Sequence, residues 1–257
     1  MSTTPLLPLL CGRESTQVFE TLKLTKSKRP IQLAEHLERL AQAQQTLLAS
    51  APTKKQQKEL LKSIRSLSNG AEGVRVDLLA GAGDSPISWN VLPRAHKSLL
   101  KLKRTGVTVV TATGSASPDA ALPAQVKHTN RLSGVLARGE ISSKTIFELL
   151  WRNKQGVLTE GSVSNLFIVR RGVLITPPTW VGLLQGTVRE HVLKTARRLK
   201  INVQEVPFTR HELYTAQEAF LTNSLIDVMP IRKVDARAIG EKAPGPVTRK
   251  LMRAVLK

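Results

Sequence analysis

Residues 158–169, LTEGSVSNLFIV, contain the clearest local structure signals in this chain of 257 residues. The Gly and Ser residues after Glu160 predict a turn, and the run at 164–169 predicts a strand. An Arg171-Gly172 turn then leads to a second short strand at 173–175. Glu160 is therefore expected in a turn just before a strand pair.

Helices and strands are mixed on both sides of this strand pair. Downstream, the sequence predicts a helix that opens near Gly186, a strand AFLTNS that ends at Ser224, and a basic amphipathic helix at 246–256. Upstream, it predicts strands at 17–24, 73–81 and 106–113, and helices after Pro30, at 54–67 and at 132–137. Since the two element types do not alternate strictly, we expect α+β layering. We expect two domains, 1–104 and 105–257.

The net charge is the most unusual feature of the composition. The 39 Lys and Arg residues outnumber the 19 Asp and Glu residues and give a formal charge of +20, a balance typical of nucleic-acid-binding proteins. However, the basic residues form small groups spread along the chain, and only 4% of residues are aromatic. We interpret most of this charge as solvated helix faces and do not expect a nucleic-acid partner.

Other classes of protein are excluded by simpler signals. The apolar runs are shorter than the ~18 residues that a membrane span needs, so no membrane helix is expected. Cys11 is the single cysteine, which excludes an intrachain disulfide. No His, Asp or Glu cluster has metal-ligand spacing, so no metal is expected. The N-terminus lacks the pattern of a secretory signal, and we expect a cytoplasmic protein.

Three residues are candidates for chemistry, although each alone is a weak signal. Lys127 in QVKHTNRL follows a proline-containing loop, where a lysine could be partly buried and have a lowered pKa. Glu160 could equally be a plain turn carboxylate. Arg39 could be an ordinary surface residue of an amphipathic helix.

The order of six motifs changes this assessment. They are QVFETLKL, HLERL, KHTNRL, EGSVSNLFIV with TPP, GLLQGTVREHVL and EAFLTNSLIDVMPI. In this order they resemble the class IV (fold-type IV) pyridoxal-phosphate enzymes over about residues 17–248. The resemblance implies a two-domain fold like that of D-amino-acid aminotransferase, with a small N-terminal α/β domain and a larger, β-barrel-like C-terminal domain carrying the cofactor lysine. It also implies a homodimer.

The resemblance assigns a cofactor and the residues that bind it. Pyridoxal 5'-phosphate needs an amine for its aldehyde, a carboxylate for its pyridine nitrogen and a phosphate cradle. Lys127 matches the Schiff-base lysine and later general base, Glu160 the pyridinium partner, and Arg39 the phosphate-binding arginine. The other implied phosphate contacts are the N–H groups of Thr187 and Val188 at a helix N-terminus, Ser224, and the N–H of Leu225.

Two features favour the aminodeoxychorismate lyases within this family. KHTNRL at 127–132 resembles the lysine motif of the lyases, and Thr21 stands where branched-chain aminotransferases usually have glycine. The resemblance then implies conversion of 4-amino-4-deoxychorismate to 4-aminobenzoate and pyruvate for folate biosynthesis, with Thr21 delivering a proton to the departing group. The alternative is an aminotransferase of branched-chain or D-amino acids with 2-oxoglutarate. A second alternative is a basic nucleic-acid-binding or non-catalytic homologue.

The N-terminal part departs from the family. The segment PLLPLLCGREST replaces a stretch related to Tyr/Phe-Gly-Asp-Gly, so the tyrosine that contacts the cofactor in other members has no evident counterpart. Arg13, Arg94 and Arg131 are candidates for the substrate carboxylates, because a guanidinium fork suits a carboxylate. For His128 and Asn165 we expect local structural roles.

Overall fold

A computed structural model describes residues 18–25, 27, 29–46, 53–67, 73–79, 88–94, 99–113, 124–129, 132–139, 141, 143 and 145–255. The chain divides into two compact units. The first comprises Met1–Lys97 and Val126–Arg131, and the second comprises Ser98–Gln125 and Leu132–Lys257. Among the described residues, no helix is long and apolar enough to cross a membrane.

The division differs from the expected boundary between residues 104 and 105. The first segment of the first unit ends at Lys97, before the expected boundary. Lys127 was expected in the C-terminal domain, but it lies in the second segment of the first unit, Val126–Arg131. The reason is a backbone contact with the first strand. Val18 and His128 form an antiparallel bridge, and the N–H of Phe19 donates to the carbonyl of Lys127 at 3.0 Å.

The first unit is a three-stranded antiparallel sheet with two helices. The strands are β1 (Val18–Lys23), β2 (Gly73–Leu79) and β3 (Ser88–Arg94), and the helices are α1 (Leu33–Thr46) and α2 (Lys54–Leu67). The predicted strand at 17–24 and the helix at 54–67 are confirmed.

Alternation along the strands separates two faces of this sheet. Val18, Leu22 and Val74 point into a buried cluster with helix residues, which include Leu40 and Ile64. Phe19 and Thr21 lie on the opposite face of β1, because side chains two residues apart share a face.

The second unit is built around a closed sheet. Its elements, with a 3-10 turn at Thr179–Val181, are α3 (Leu100–Thr105), β4 (Val107–Thr111), α4 (Leu132–Gly139), β5 (Ile146–Arg152), β6 (Leu158–Gly161), β7 (Asn165–Arg170), β8 (Val173–Thr176), α5 (Thr187–Arg198), β9 (Val203–Glu205), α6 (Arg210–Tyr214), β10 (Glu218–Asn223), β11 (Asp227–Val234), β12 (Arg237–Ala238) and α7 (Pro246–Val255).

The order of strand pairing closes this sheet. The strands β10, β11, β4, β5, β6 and β7 pair in that order, and β7 also pairs with β10. Strands β8 and β9 extend the sheet beyond β7, and β12 pairs with β11.

Alternate residues of β7 pack on the two sides of the barrel wall. Leu166 and Ile168 belong to one buried cluster, whereas Phe167 and Val169 pack in a second cluster that includes residues of α5 and α7. There, the rings of Phe167 and Phe220 stack with centroids 4.9 Å apart. The sheet and helices of the second unit are therefore joined by a continuous apolar layer.

The predicted strand pair is confirmed as β7 and β8, which are antiparallel. Arg171 and Gly172 both have positive φ, 50° and 77°, as the two-residue turn of a tight hairpin requires. One detail differs from the prediction. Glu160 lies in strand β6 opposite Asn165, and the turn begins at Ser162, after the strand ends at Gly161.

The strand register defines two ends of the barrel. Gly161, Asn165 and Asn223 lie at what we call the Glu160 end, since Glu160 pairs with Asn165, whose other neighbour is Thr222 in β10. What we call the Arg152 end contains Arg152, which pairs with Leu158, and the start of β10 at Glu218. Between these ends, β7 runs for about 17 Å.

Candidate active site

In the second unit, a short hydrogen-bond network holds the Glu160 carboxylate. Glu160 Oε2 accepts from Asn165 Nδ2 at 3.1 Å and from the N–H of Leu184 at 3.2 Å. Asn165 Nδ2 also donates to the carbonyl of Leu184 at 2.7 Å. These contacts fix the orientation of a half-buried carboxylate, which suits a group that must meet a cationic ring nitrogen.

Asn165 also contacts the start of helix α5. Gly186 is the N-cap of that helix, and a Cβ at position 186 would overlap Asn165 Oδ1. One buried amide therefore touches both the Glu160 carboxylate and the N-terminus of α5. From the sequence we expected a structural role for Asn165, and these contacts make it a positioning residue for Glu160.

A second carboxylate, Glu148 in β5, supports the turn between β6 and β7. It is buried and accepts from Ser162 Oγ at 2.7 Å, from the N–H of Val163 at 2.8 Å and from Ser164 Oγ at 3.1 Å. Burial raises the pKa of Glu148, and these three hydrogen bonds act in the opposite direction. Glu148 was not among the candidates predicted from the sequence.

The N-terminus of α5 suits an anion. The first amide to donate within the helix is that of Glu190, to Gly186 O, so the N–H groups of Thr187 and Val188 precede the intrahelical bonds. Gly186 brings no side chain to cap them. Helix α7 differs, because the buried Glu218 accepts from the N–H groups of Val247 and Thr248. Position and dipole together make the start of α5 a place for a phosphate.

The Ser224–Leu225 segment follows β10 at the same end of the barrel. Asn223 Oδ1 accepts from the N–H of Leu225 at 2.9 Å and of Ile226 at 3.0 Å. The N–H of Leu225, which was expected to bind phosphate, therefore donates a hydrogen bond within the turn. One residue before Asn223, the hydroxyl of Thr222 is buried and has no hydrogen-bond partner within the described part of the chain.

In the first unit, Lys127 lies against β1. Its Nζ is 4.6 Å from the centroid of the Phe19 ring, and the lysine is half-buried. Arg75 Cζ lies 4.3 Å from the same centroid. Arg75 is itself paired with Asp77 at 2.5 Å. The buried Phe19 ring thus gives the lysine a fixed apolar and cation–π support.

Thr21 is the next residue of β1 on the face that carries Phe19. It is half-buried, and its cross-strand partner is Arg75. The structure therefore brings the threonine, the aromatic ring and Lys127 to one face of the same sheet.

Arg39 forms a bidentate ion pair with Glu20, a contact that the sequence did not predict. Arg39 Nε donates to Oε1 at 2.7 Å and Nη2 to Oε2 at 2.6 Å, while His36 Nδ1 lies 2.7 Å from Oε2. Burial tends to raise the pKa of Glu20, but Arg39 and His36 outweigh it and lower the pKa from 4.5 to about 2. The pair uses two of the five N–H donors of Arg39.

The remaining predicted residues are not brought to these groups. Arg13 and Arg131 lie outside the described residues, as does the side chain of Arg94. Tyr214 lies in α6 and donates to Asp235 Oδ2 at 2.6 Å, so it does not replace the missing tyrosine of the family. The contacts of Glu20 had one signal in the sequence. His36 and Arg39, which both contact its carboxylate, are three residues apart and therefore share one helix face.

Each unit, taken by itself, carries groups that suit a phosphorylated pyridine cofactor. Glu160 supplies a carboxylate oriented by an amide, α5 supplies a helix N-terminus with glycine as its N-cap, and the contact of Asn165 with Gly186 leaves no space there for a Cβ. The first unit supplies an amine and a guanidinium on a rigid sheet and helix. Each of these groups has the charge that this cofactor requires.

Comparisons with known proteins show the family to which the chain belongs. The family model described as "Amino-transferase class IV" matches residues 17–234. A "Probable branched-chain-amino-acid aminotransferase" of Thermotoga maritima is 33% identical over 235 residues, covering 91% of this chain and 83% of that protein.

Two solved structures are similar over almost the whole chain. A T.th. branched-chain amino acid aminotransferase with pyridoxamine 5'-phosphate is 28% identical, with a TM-score of 0.82 over 99% of this chain and 88% of that chain. The 4-amino-4-deoxychorismate lyase of Pseudomonas aeruginosa is 26% identical, with a TM-score of 0.82 over 98% and 93%. The match of the family model over most of the chain, together with these similarities, shows that the protein belongs to the class IV aminotransferase family of pyridoxal-phosphate enzymes.

Proposed function

We propose that this protein is a lyase that converts 4-amino-4-deoxychorismate to 4-aminobenzoate and pyruvate. The observation that supports this choice is the position of Thr21, whose side chain shares a face of β1 with the Phe19 ring beside Lys127 Nζ. Elimination of pyruvate requires one group to remove a proton and another to donate one. A hydroxyl and a lysine amine on the same face of the sheet supply these two groups.

The proposed roles of the chain's own groups follow from these contacts. When bound, pyridoxal phosphate supplies an electron-withdrawing ring that stabilises the negative charge left by proton removal. Lys127 Nζ, released from the cofactor aldehyde, takes the proton from C4 of the substrate. Thr21 Oγ1 donates a proton to the departing enolpyruvyl group. Pyruvate then leaves, and the ring becomes aromatic.

The cofactor contacts remain as the family resemblance implies. We propose that Glu160 keeps the proton on the pyridine nitrogen, with Asn165 fixing its orientation. We propose that the phosphate is bound by Arg39, by the N–H groups of Thr187 and Val188, and by Ser224. By the same resemblance we propose a homodimer, and folate biosynthesis as the use of the product.

An aminotransferase is the second candidate, and the named relatives favour it. Several relatives carry the name branched-chain-amino-acid aminotransferase, including the Thermotoga maritima protein that covers 91% of this chain. Lyases and aminotransferases both begin with proton removal by the lysine. They differ in whether a group leaves the neighbouring carbon or a proton is added to the cofactor.

The test is a direct comparison of substrates with the purified holoenzyme. With 4-amino-4-deoxychorismate we expect equal amounts of pyruvate and 4-aminobenzoate, and no product from Lys127→Ala. If instead amino groups pass from leucine or D-alanine to 2-oxoglutarate and no pyruvate forms, the aminotransferase is correct.

The role of Thr21 is tested by a pair of substitutions. Thr21→Gly removes the hydroxyl and is expected to slow elimination at least tenfold while the absorbance of the bound cofactor is unchanged. Thr21→Ser keeps the hydroxyl and is the matched control, with most of the rate retained. Equal rates in Thr21→Gly and the wild type would show that the hydroxyl takes no part.

A further inference from the structure

A pocket at the Arg152 end of the barrel has no role in the proposed reaction. Its volume is about 510 Å³, and we call it the arginine pocket. The residues that line it are Arg152, Gly156, Thr209, Arg210, His211, Tyr214 and Arg237. We propose that the arginine pocket is a second anion site, which binds a small molecule bearing a diphosphate group.

Uncompensated charge is the first argument for this site. Within the described residues, Arg152, Arg210 and Arg237 form no ion pair, although all three line one cavity. Several arginines of the second unit that lie outside this cavity do form ion pairs. Arg189 contacts Glu190 and Glu205, and Arg197 also contacts Glu205. Like charges gathered without a counter-ion repel one another, and an anion would remove that cost.

The carboxylates near the arginine pocket are already used by the protein. Asp235 accepts from the N–H of Thr111 at 2.7 Å, from its hydroxyl at 2.8 Å and from Tyr214 OH at 2.6 Å. Glu212 accepts from the N–H and the hydroxyl of Thr209 and lies 3.6 Å from Arg170. Neither carboxylate neutralises the three pocket arginines.

The protein itself holds two of these arginines in place. Arg152 Nη2 donates to the carbonyls of Ala112 at 3.0 Å and Thr113 at 3.1 Å, while its buried Nε meets no acceptor among the described residues. Arg237 Cζ lies 4.6 Å from the centroid of the Tyr214 ring. Guanidinium groups fixed before a ligand arrives lose less entropy on binding.

The arginine pocket is separate from the Glu160 network. None of the residues that line the arginine pocket is a proposed cofactor residue, and Arg152 and Leu158 pair at the opposite end of β6 from Glu160 and Asn165. At the Arg152 end, Val157 also bridges to Thr209, which precedes α6. The arginine pocket therefore does not belong to the cofactor contacts proposed above.

The chemistry of the lining indicates the class of ligand. Three guanidinium groups supply a formal charge of +3, and their fork geometry matches phosphate oxygens. A cavity of about 510 Å³ lies within the usual range of small-molecule sites, roughly 300–1,000 Å³. A diphosphate group combines this charge with this size, whereas a single carboxylate would leave most of the charge unpaired.

The test measures binding to the holoenzyme, saturated with pyridoxal phosphate so that the cofactor site is filled. Isothermal titration with inorganic pyrophosphate at about 0.15 M salt is expected to show one site per chain. Arg237→Gln and Arg210→Gln should each weaken binding at least tenfold. Arg198→Gln, an exposed arginine of α5, is the matched control and should bind as the wild type does.

Further arms identify the ligand and exclude trivial causes. A nucleoside diphosphate that binds more tightly than pyrophosphate would indicate that the natural ligand is a nucleotide, and equal affinity would indicate that only the diphosphate is recognised. The cofactor absorbance and melting temperature of each variant verify that it is folded. Absence of pyrophosphate binding, equal affinity in Arg237→Gln and Arg198→Gln, or retention of duplex DNA in place of the small anion would each overturn the proposal.

Discussion

The buried Glu20 is expected to control the stability of the first unit. Its side chain is 4% exposed and lies against Arg39 and His36. Glu20→Gln keeps the shape of the side chain and removes its charge. The substitution leaves Arg39, 11% exposed, without the carboxylate that holds it. Loss of one partner of a buried ion pair is strongly destabilising.

The magnitude follows from the pKa of Glu20. The structure lowers this pKa from 4.5 to about 2. At 1.36 kcal/mol for each unit, the ionised carboxylate contributes about 3 kcal/mol to the free energy of unfolding at pH 7. We therefore expect Glu20→Gln to lower that free energy by about 3 kcal/mol.

The pH dependence has a definite sign. The folded pKa lies below the unfolded value, so the unfolded chain binds more protons between about pH 2 and 4.5. The contribution of Glu20 is complete well above pH 4.5 and is lost as the pH falls toward 2. At pH 4 about 1 kcal/mol of it is gone, so the difference between wild type and variant should shrink by that amount.

Trp89 offers a local probe of this unit, because it packs against the buried cluster under the sheet. Trp151 and Trp180 lie in the second unit and would be replaced by Phe in the background protein. Urea unfolding of the holoenzyme, followed by Trp89 fluorescence at pH 7, 5 and 4, gives the free energy at each pH.

The control is Glu38→Gln, an exposed carboxylate beside Arg39 in sequence. It should change the free energy of unfolding by less than about 0.5 kcal/mol. The reasoning is refuted if Glu20→Gln costs no more than Glu38→Gln at pH 7. It is also refuted if the gap between wild type and Glu20→Gln is the same at pH 7 and pH 4.

Three further substitutions test the second unit. Gly186→Ala places a Cβ against Asn165 Oδ1 and should lower the free energy of unfolding by about 1–3 kcal/mol. It should also speed release of the cofactor, which is followed by absorbance. An unchanged release rate would contradict the contact. Burial raises the pKa of Glu148, so the wild type loses stability as the pH rises above 4.5. Glu148→Gln should flatten this slope in urea titrations, and an identical slope would count against it. Phe167→Leu removes the stack with Phe220 and should cost about 1–3 kcal/mol in thermal unfolding, with no shift in melting temperature as the contrary result.

Much of the secondary structure was accessible from local sequence signals. The helix at 54–67 and the β7–β8 hairpin are where periodicity and turn residues predict them. Strands β5 and β11, which were not predicted from the sequence, are near-continuous apolar or mixed runs. Burial on both sides of a barrel wall removes the alternation that marks a strand.

The candidate site was accessible only in part. The motifs identify Lys127 and Glu160 as candidates, and the chain order gives their neighbours in sequence. The hydrogen-bond partners of these residues cannot be read from the chain order. Asn165 lies five residues from Glu160, but its contact with Leu184 spans 19 residues and depends on how the loop before α5 folds back.

The amino-acid sequence alone determined many of the helices and strands, the family motifs and the excess of positive charge, because periodicity, turn chemistry and composition are local properties. Tertiary structure decided where that charge is neutralised. Glu20 lies 19 residues from Arg39, and Asp227 lies 124 residues from Lys103. Electrostatic energy depends on separation in space and on burial, so only the folded chain shows which basic residues are paired with a carboxylate and that three arginines line one pocket.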